Sequence, residues 1–180
     1  MRFLRELLIT IVLAIAVFLL LQTTVQTYVV IGASMEPNFQ EDERLIITKI
    51  VYNFHDPEKG DVIIFQPPNG GEVPYIKRVI ASPGDTVKVE DGAVYVNGQR
   101  LKEPYIEDPP KYDMSEREVP EDEYFVLGDA RNNSNDSHNN WTVPRQNIIG
   151  KAWLAIWPPS KWGAVDHYPL QEEITSLTGN

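Results

Sequence analysis

A chain of 180 residues, 42% hydrophobic and 23% charged, has the balance of a folded protein rather than a disordered tract and suits one main domain with a smaller lobe. Its formal net charge of −10 excludes the basic footprint that sequence-independent nucleic-acid binding requires. The absence of cysteine excludes thiol nucleophiles, thiolate metal sites and disulfides, so the core alone must stabilise the fold.

The chain opens on Arg2 and Arg5 and then runs apolar over residues 7–21, broken only by Thr10. That run falls short of the ~20 residues needed to span a bilayer core of roughly 30 Å. The softer stretch 22–31, through Val25 and residues 28–31, completes the length. No comparable basic cluster follows. The positive charge at the start therefore predicts a cytoplasmic N-terminus, one membrane crossing, and everything after residue 31 on the far side. A cleavable signal peptide shares the charged start and short apolar core. However, no small-x-small pattern directly follows Leu21, and a cut near Ala33 would fall beside Ser34. Residues 1–31 are read as cytoplasmic N-terminus and transmembrane anchor.

Beyond this segment the pattern is of strands and turns. Residues 44–51 alternate as a half-buried strand, and residues 61–65 form a short, nearly continuous apolar run. Between them, His55-Asp56-Pro57-Glu58-Lys59-Gly60 carries the proline and glycine of a turn. The loop Pro67-Pro68-Asn69-Gly70-Gly71 precedes an apolar strand, Tyr75-Ile76-Lys77-Arg78-Val79-Ile80. Residues 86–101 predict a three-stranded meander, turning at Asp91-Gly92 and Asn97-Gly98, which supply the positive φ of tight hairpins. Residues 104–120 are proline-rich and acidic and read as a surface excursion. Residues 124–127 form a strand ending at Gly128-Asp129. Residues 148–157 resume apolar character and stop at Pro158-Pro159, and the tail after Trp162 is weakly patterned. The expected fold is mainly β: an anchor, an all-β domain (residues 32–82 and 123–180), and a small β insert (residues 83–122).

Ser34 directly follows the apolar segment. A serine hydroxyl is a poor nucleophile until a base removes its proton, and the three histidines have no clear triad context. A lysine serves as that base only when neutral, so its pKa must fall by several units from about 10.4, which burial in apolar surroundings achieves. The strand around Lys77 suits that need. With a period of two, Lys77 shares a face with Tyr75 and Val79, while Arg78 points away with Ile76 and Ile80. Taken singly, a strand lysine is ordinarily a solvated edge residue, and a serine after an anchor is ordinarily a linker.

Four blocks change that reading: Gly32-Ala33-Ser34-Met35-Glu36-Pro37, Lys59-Gly60-Asp61-Val62-Ile63-Ile64-Phe65, Tyr75-Ile76-Lys77-Arg78-Val79, and Gly128-Asp129-Ala130-Arg131-Asn132-Asn133-Ser134-Asn135-Asp136-Ser137. In this order and spacing they resemble the conserved boxes of type I signal peptidases (peptidase family S26), membrane-bound serine–lysine proteases that remove signal peptides. The resemblance runs from the anchor to about residue 157 and implies a signal-peptidase/LexA-like β-fold. It implies Ser34 as nucleophile and Lys77 as general base, with the Ser34 backbone N–H in the oxyanion hole and Ser134 orienting the lysine amine. Gly32, Met35, Pro37, Arg78, Gly128, Asp129 and Asp136 fall at groove-lining and supporting positions, the two aspartates pairing with arginines such as Arg78. Gly32 stands where some members supply a serine hydroxyl to the oxyanion.

The same resemblance implies no metal and no cofactor. It implies as partners signal-peptide-bearing preproteins cut after small residues (Ala-X-Ala), the lipid bilayer, and an export translocon nearby. It implies a bacterial plasma membrane or a thylakoid membrane, with the catalytic domain on the outer or lumenal side. Two residues depart from the family pattern. Ala130 stands where asparagine is common, and His138 where arginine is common, which leaves an aspartate near the site without a fixed positive partner. Glycans at Asn132 or Asn135 would crowd the site, so these acceptor patterns are read as unmodified. Trp141, Trp153, Trp157 and Trp162 suit either an interfacial or a core position. A binding-only relative, a self-cleaving repressor-like protease and an unrelated tethered module are the alternatives. The intact Ser34 and Lys77, the anchor, and the four ordered blocks argue against them in turn.

Overall fold

The computed structural model describes residues 2–170, apart from the side chains of residues 20, 21 and 23; the last ten residues of the tail, read as part of the catalytic domain, lie outside that range. Helix α1 (Arg2–Thr24) is about 35 Å long at ~1.5 Å per residue. Large apolar side chains along it, from Phe3 to Leu19, are exposed to more than two-fifths of their full area. Among the described residues no helix is long and apolar enough to cross a membrane.

The stretch expected to lengthen the anchor does something else. Residues Val25–Val29 form strand β1, which pairs antiparallel with β2 (Arg44–Thr48) from Val25 opposite Thr48 to Val29 opposite Arg44. Val25, Thr27 and Val29 are β-branched and suit a pleated edge. Tyr28 and Val30 are buried in the core below, an anchorage that a continuing helix would forgo.

The main sheet is antiparallel in the order β1-β2-β11-β3-β4-β9-β10, with β12 (Gly163–Ala164) added on β11. Here β3 is Val62–Phe65, β4 Tyr75–Ala81, β9 Glu123–Leu127, β10 Val143–Pro144 and β11 Ile148–Trp157. Strand β4 lies between β3 and β9, with Lys77 opposite Ile63, and Arg78 opposite Val62 on one side and Leu127 on the other. Both faces of this part of the sheet are covered. Val62, Ile64 and Ile76 pack with Met35, Phe39 and Leu45, whereas Ile63, Phe65 and Val79 pack with Tyr52, Tyr124 and Val126. A sheet buried on both faces reads as continuous hydrophobic runs, and Lys77 sits on such a central strand rather than at an edge.

A second sheet, β7-β6-β5-β8, comprises β5 (Thr86–Glu90), β6 (Ala93–Val96), β7 (Gln99–Arg100) and β8 (Met114–Glu118). Its two hairpin turns take positive φ at Asp91 and Gly92, and at Asn97 and Gly98. Strand β8 comes from the stretch read as a surface excursion. It pairs with β5, and Tyr105, Met114 and Val119 around it are buried with Val87, Val89 and Phe125. Its sequence, Met-Ser-Glu-Arg-Glu, presents almost only polar residues, so no alternation marks it as a strand.

The tail packs Val165 into the core with Met35 and Ile47, and Tyr168 and Leu170 into the core that the second sheet shares with Ile80 and Phe125. It also contributes His167, whose Nδ1 accepts from the Val62 N–H (3.2 Å) and whose Nε2–H donates to the Ala152 carbonyl (2.9 Å). Both contacts suit a neutral ring. Burial, and then the Lys151 ammonium, lower its pKa to about 4. The unfolded chain takes up a proton near pH 6.5 that the folded chain refuses, so stability falls as pH drops from about 6.5 to about 4. The wild type is expected to lose up to about 3 kcal/mol across that window beyond what a His167→Gln variant loses. Denaturant titrations at the two pH values check this; equal losses would sink it.

Candidate active site

Ser34 lies in an irregular turn between β1 and β2. Gly32 enters it at φ +76°, with its N–H donating to Glu41 Oε1 (3.3 Å). Inside the turn Glu36 N–H donates to Ala33 O (3.2 Å) and Phe39 N–H to Met35 O (2.9 Å). Met35 is fully buried and Phe39 nearly so, which fastens the turn to the core while Pro37 stays at the surface. On the neighbouring loop, Ala130 N–H donates to Ser34 O (3.1 Å).

Lys77 reaches this turn from the centre of the sheet. Its Nζ lies 2.6 Å from Ser34 Oγ and 2.9 Å from the carbonyl of Ile76. The residue is only 3% exposed. Burial lowers its pKa to about 8, against the opposing pull of the Asp136 and Asp129 carboxylates. A substantial fraction of the amine is therefore neutral near pH 8 and able to accept the hydroxyl proton from Ser34.

The loop after β9 closes over both groups. A Cβ on Gly128 would lie 2.4 Å from Ser34 O and 2.3 Å from Ser134 Oγ, so only glycine permits this approach. Asp129 is buried and forms a two-pronged pair with Arg78, Nε to Oδ1 at 2.9 Å and Nη2 to Oδ2 at 2.8 Å. Asp136, also buried, pairs with no arginine among the described residues. Its Oδ2 accepts from Gly128 N–H (2.9 Å) and its Oδ1 lies 2.6 Å from His138 Nδ1. The His138 ring stacks on Tyr112. Among the described residues no cluster of histidine and carboxylates could hold a metal ion.

The chain is similar to known proteins over most of its length. The family model described as signal peptidase, peptidase S26, matches residues 4–157. The chain belongs to the signal peptidase family. It is similar to the Synechocystis sp. protein named "Probable signal peptidase I-1", with 46% identity over 75% of this chain and 72% of the relative. A signal peptidase I of Leptolyngbya laminosa is 46% identical over 76% of this chain and 70% of its own length. The chloroplastic thylakoidal processing peptidase 1 of Arabidopsis thaliana is 40% identical over 72% of this chain and 41% of its own. A crystal structure of a signal peptidase I from Enterococcus faecalis aligns with a TM-score of 0.48 and 32% identity, covering 53% of this chain and 96% of that one. As a signal peptidase of family S26 the chain is a serine peptidase, a hydrolase that cleaves signal peptides from preproteins.

In this signal peptidase a cavity of about 180 Å³ opens beside Ser34, lined by Tyr28, Ile31, Val73, Tyr75 and Ile76 among others. The Tyr28 hydroxyl donates to Pro74 O (2.9 Å) and ties the strand wall to the loop wall. Ser134 differs from what the resemblance implies. The Lys77 amine contacts Ser34 and Ile76 O, while Ser134 Oγ is buried without a hydrogen-bond partner among the described residues. Four further residues converge here that the sequence alone does not single out. Asn38 bonds Asp129. Arg131 pairs with Glu103 (2.6 Å) and donates to Gly128 O (3.0 Å). Tyr105 lies under the Arg78 guanidinium, 4.2 Å from its ring centre. Only Arg131 lies inside one of the four sequence blocks; Asn38, Glu103 and Tyr105 join it through long-range contacts.

Proposed function

We propose that this signal peptidase cuts exported preproteins with a Ser34–Lys77 dyad, after small residues of the Ala-X-Ala type, while held in a membrane by α1. The 2.6 Å contact between the buried Lys77 amine and Ser34 Oγ carries this reading. Neutral Lys77 takes the hydroxyl proton as Oγ attacks the scissile carbonyl carbon. The negative charge developing on the carbonyl oxygen meets the Ser34 backbone N–H; Gly32 offers no side-chain donor. Collapse breaks the C–N bond, and the proton passes from Lys77 to the leaving amine, releasing the mature protein. Lys77 then accepts a proton from water as the water oxygen attacks the acyl carbon, and returns it to Ser34 Oγ as the ester C–O bond breaks. No step calls on a metal or cofactor. Ser134, whose buried Oγ lies beside Gly128 with no hydrogen-bond partner among the described residues, is the candidate to orient the amine. The narrow cavity beside Ser34 suits short side chains before the cut.

Anchoring rests on the 23-residue helix, its apolar sequence over residues 7–21, its exposed hydrophobic side chains, and Arg2 and Arg5 at its start. On this reading the N-terminus is cytoplasmic. The β-domains face the outer or lumenal side of a bacterial plasma membrane or thylakoid, against the bilayer and near the export translocon. The main sheet is the catalytic domain and the four-stranded sheet an insert in it. The test is cleavage of a model preprotein by the full chain in detergent, alongside Ser34→Ala and Lys77→Ala. Loss in both variants, with the wild-type cut after a small-x-small sequence, is the expected result. Cleavage surviving both overturns the dyad.

A further inference from the structure

The dyad joins two groups of very different rigidity. Lys77 stands on a central strand, whereas Ser34 stands on a turn with no sheet pairing of its own. A turn holding a nucleophile needs a second tether, because a displacement of about 1 Å costs roughly a hundredfold in rate. Asn38, four residues after Ser34 in the same turn, supplies one. Its amide nitrogen donates to Asp129 Oδ2 (2.8 Å) and to the Tyr105 carbonyl (2.7 Å). Both partners are acceptors only, so the amide must present its NH₂ to them. Asp129 is in turn clamped by Arg78, the residue next to Lys77. A closed circuit results, running from Ser34 along the turn to Asn38, through Asp129 and Arg78 to Lys77, and back across the 2.6 Å contact to Ser34.

We propose that Asn38 is a positioning residue, fixing the turn so that Ser34 Oγ stays within proton-transfer distance of Lys77. Asn38 does not line the cavity beside Ser34, and its amide bonds neither Ser34 Oγ nor the Lys77 amine. Its action runs through Asp129, whose carboxylate receives both Asn38 and Arg78, and through the backbone of Tyr105, which packs with the second sheet. The inference rests on the dyad reading above.

The test uses the full chain in detergent with a fluorescent signal-peptide substrate, reading kcat, KM, the pH–rate midpoint and the folded fraction. Asn38→Leu keeps roughly the volume and removes both donors; Asn38→Ser keeps one donor. In Asn38→Leu, kcat per folded molecule is expected to fall about 10- to 100-fold, with KM and the pH midpoint unmoved, and Asn38→Ser to recover a large part of the loss. A merely structural role would lower the folded fraction and leave kcat per folded molecule alone. The proposal is overturned if that kcat stays within about twofold of wild type, or if serine does no better than leucine. Should Asn38→Leu fail to fold, Asn38→Ala against Asn38→Ser makes the same comparison. Ser34→Ala in the same assay separates the two readings. Activity that survives it overturns the dyad and this inference together. Activity that vanishes in it but persists in Asn38→Leu overturns the positioning role alone.

Discussion

Lys77→Met is expected to lower cleavage by about 10³-fold or more while raising the stability of the protein at neutral pH. Both effects come from the same burial. Lys77 is held with a pKa near 8 against about 10.4 in an unfolded chain. Below pH 8 the folded protein therefore carries an ammonium that would be better solvated outside, a cost of up to about 3 kcal/mol. The sign follows from proton counts. Between about pH 8 and 10.4 the unfolded chain binds a proton that the folded chain has released, so wild-type stability rises with pH across that window. Methionine never carries the charge. Its advantage should be full at pH 7, on the order of 6 °C in melting temperature, and shrink towards pH 10. The activity of the wild type should follow the neutral amine, falling about tenfold per pH unit below a midpoint near 8. Melting temperatures at two pH values and one pH–rate profile check all three statements. A flat rate profile from pH 6 to 9 would remove Lys77 from the role of base.

Arg78→Met should destabilise the fold by about 3–5 kcal/mol, because it leaves the Asp129 carboxylate buried and without its counter-charge. The Arg78 and Asp129 side chains are exposed by no more than 1% of their full area. The guanidinium also donates to Gly60 O (2.9 Å) and Asp166 O (3.3 Å) and lies over the Tyr105 and Tyr168 rings. A lysine could follow neither the planar fork nor the stacking, so Arg78→Lys should recover little of the loss. Adding Asp129→Asn to Arg78→Met removes the stranded charge and should restore at least about 1 kcal/mol. Denaturant midpoints of the two single variants and the double variant measure the coupling. Strict additivity would mean that the pair contributes nothing beyond its separate parts.

The parts of the site written in short, contiguous blocks are legible in the sequence alone. The stretch around Lys77 is apolar because β4 is covered on both faces, and Gly128-Asp129 follows a strand whose end must approach Ser34 without a side chain in the way. Other parts are set by contacts across the chain, which leave no local trace. Val25–Val29 reads as a continuation of the helix because Val25, Tyr28 and Val29 extend the apolar run in softer form, and only its partner Arg44–Thr48 decides between strand and helix. Strand β8 hides behind Ser-Glu-Arg-Glu. Asn38 and Tyr105 are 67 residues apart, and nothing near either announces the other. His138 stands in the sequence where arginine would face an aspartate, and its ring does meet Asp136 at 2.6 Å.

Tyr105 gives its carbonyl to Asn38 and its ring to the faces of two guanidinium groups, Arg78 and Arg131. The smaller sheet is therefore not an accessory that can be trimmed at its hairpins. A minimised enzyme, or a chimaera carrying another relative's smaller sheet, is expected to keep the Asn38 and Arg78 contacts only if the graft returns an aromatic ring and a carbonyl acceptor to that spot.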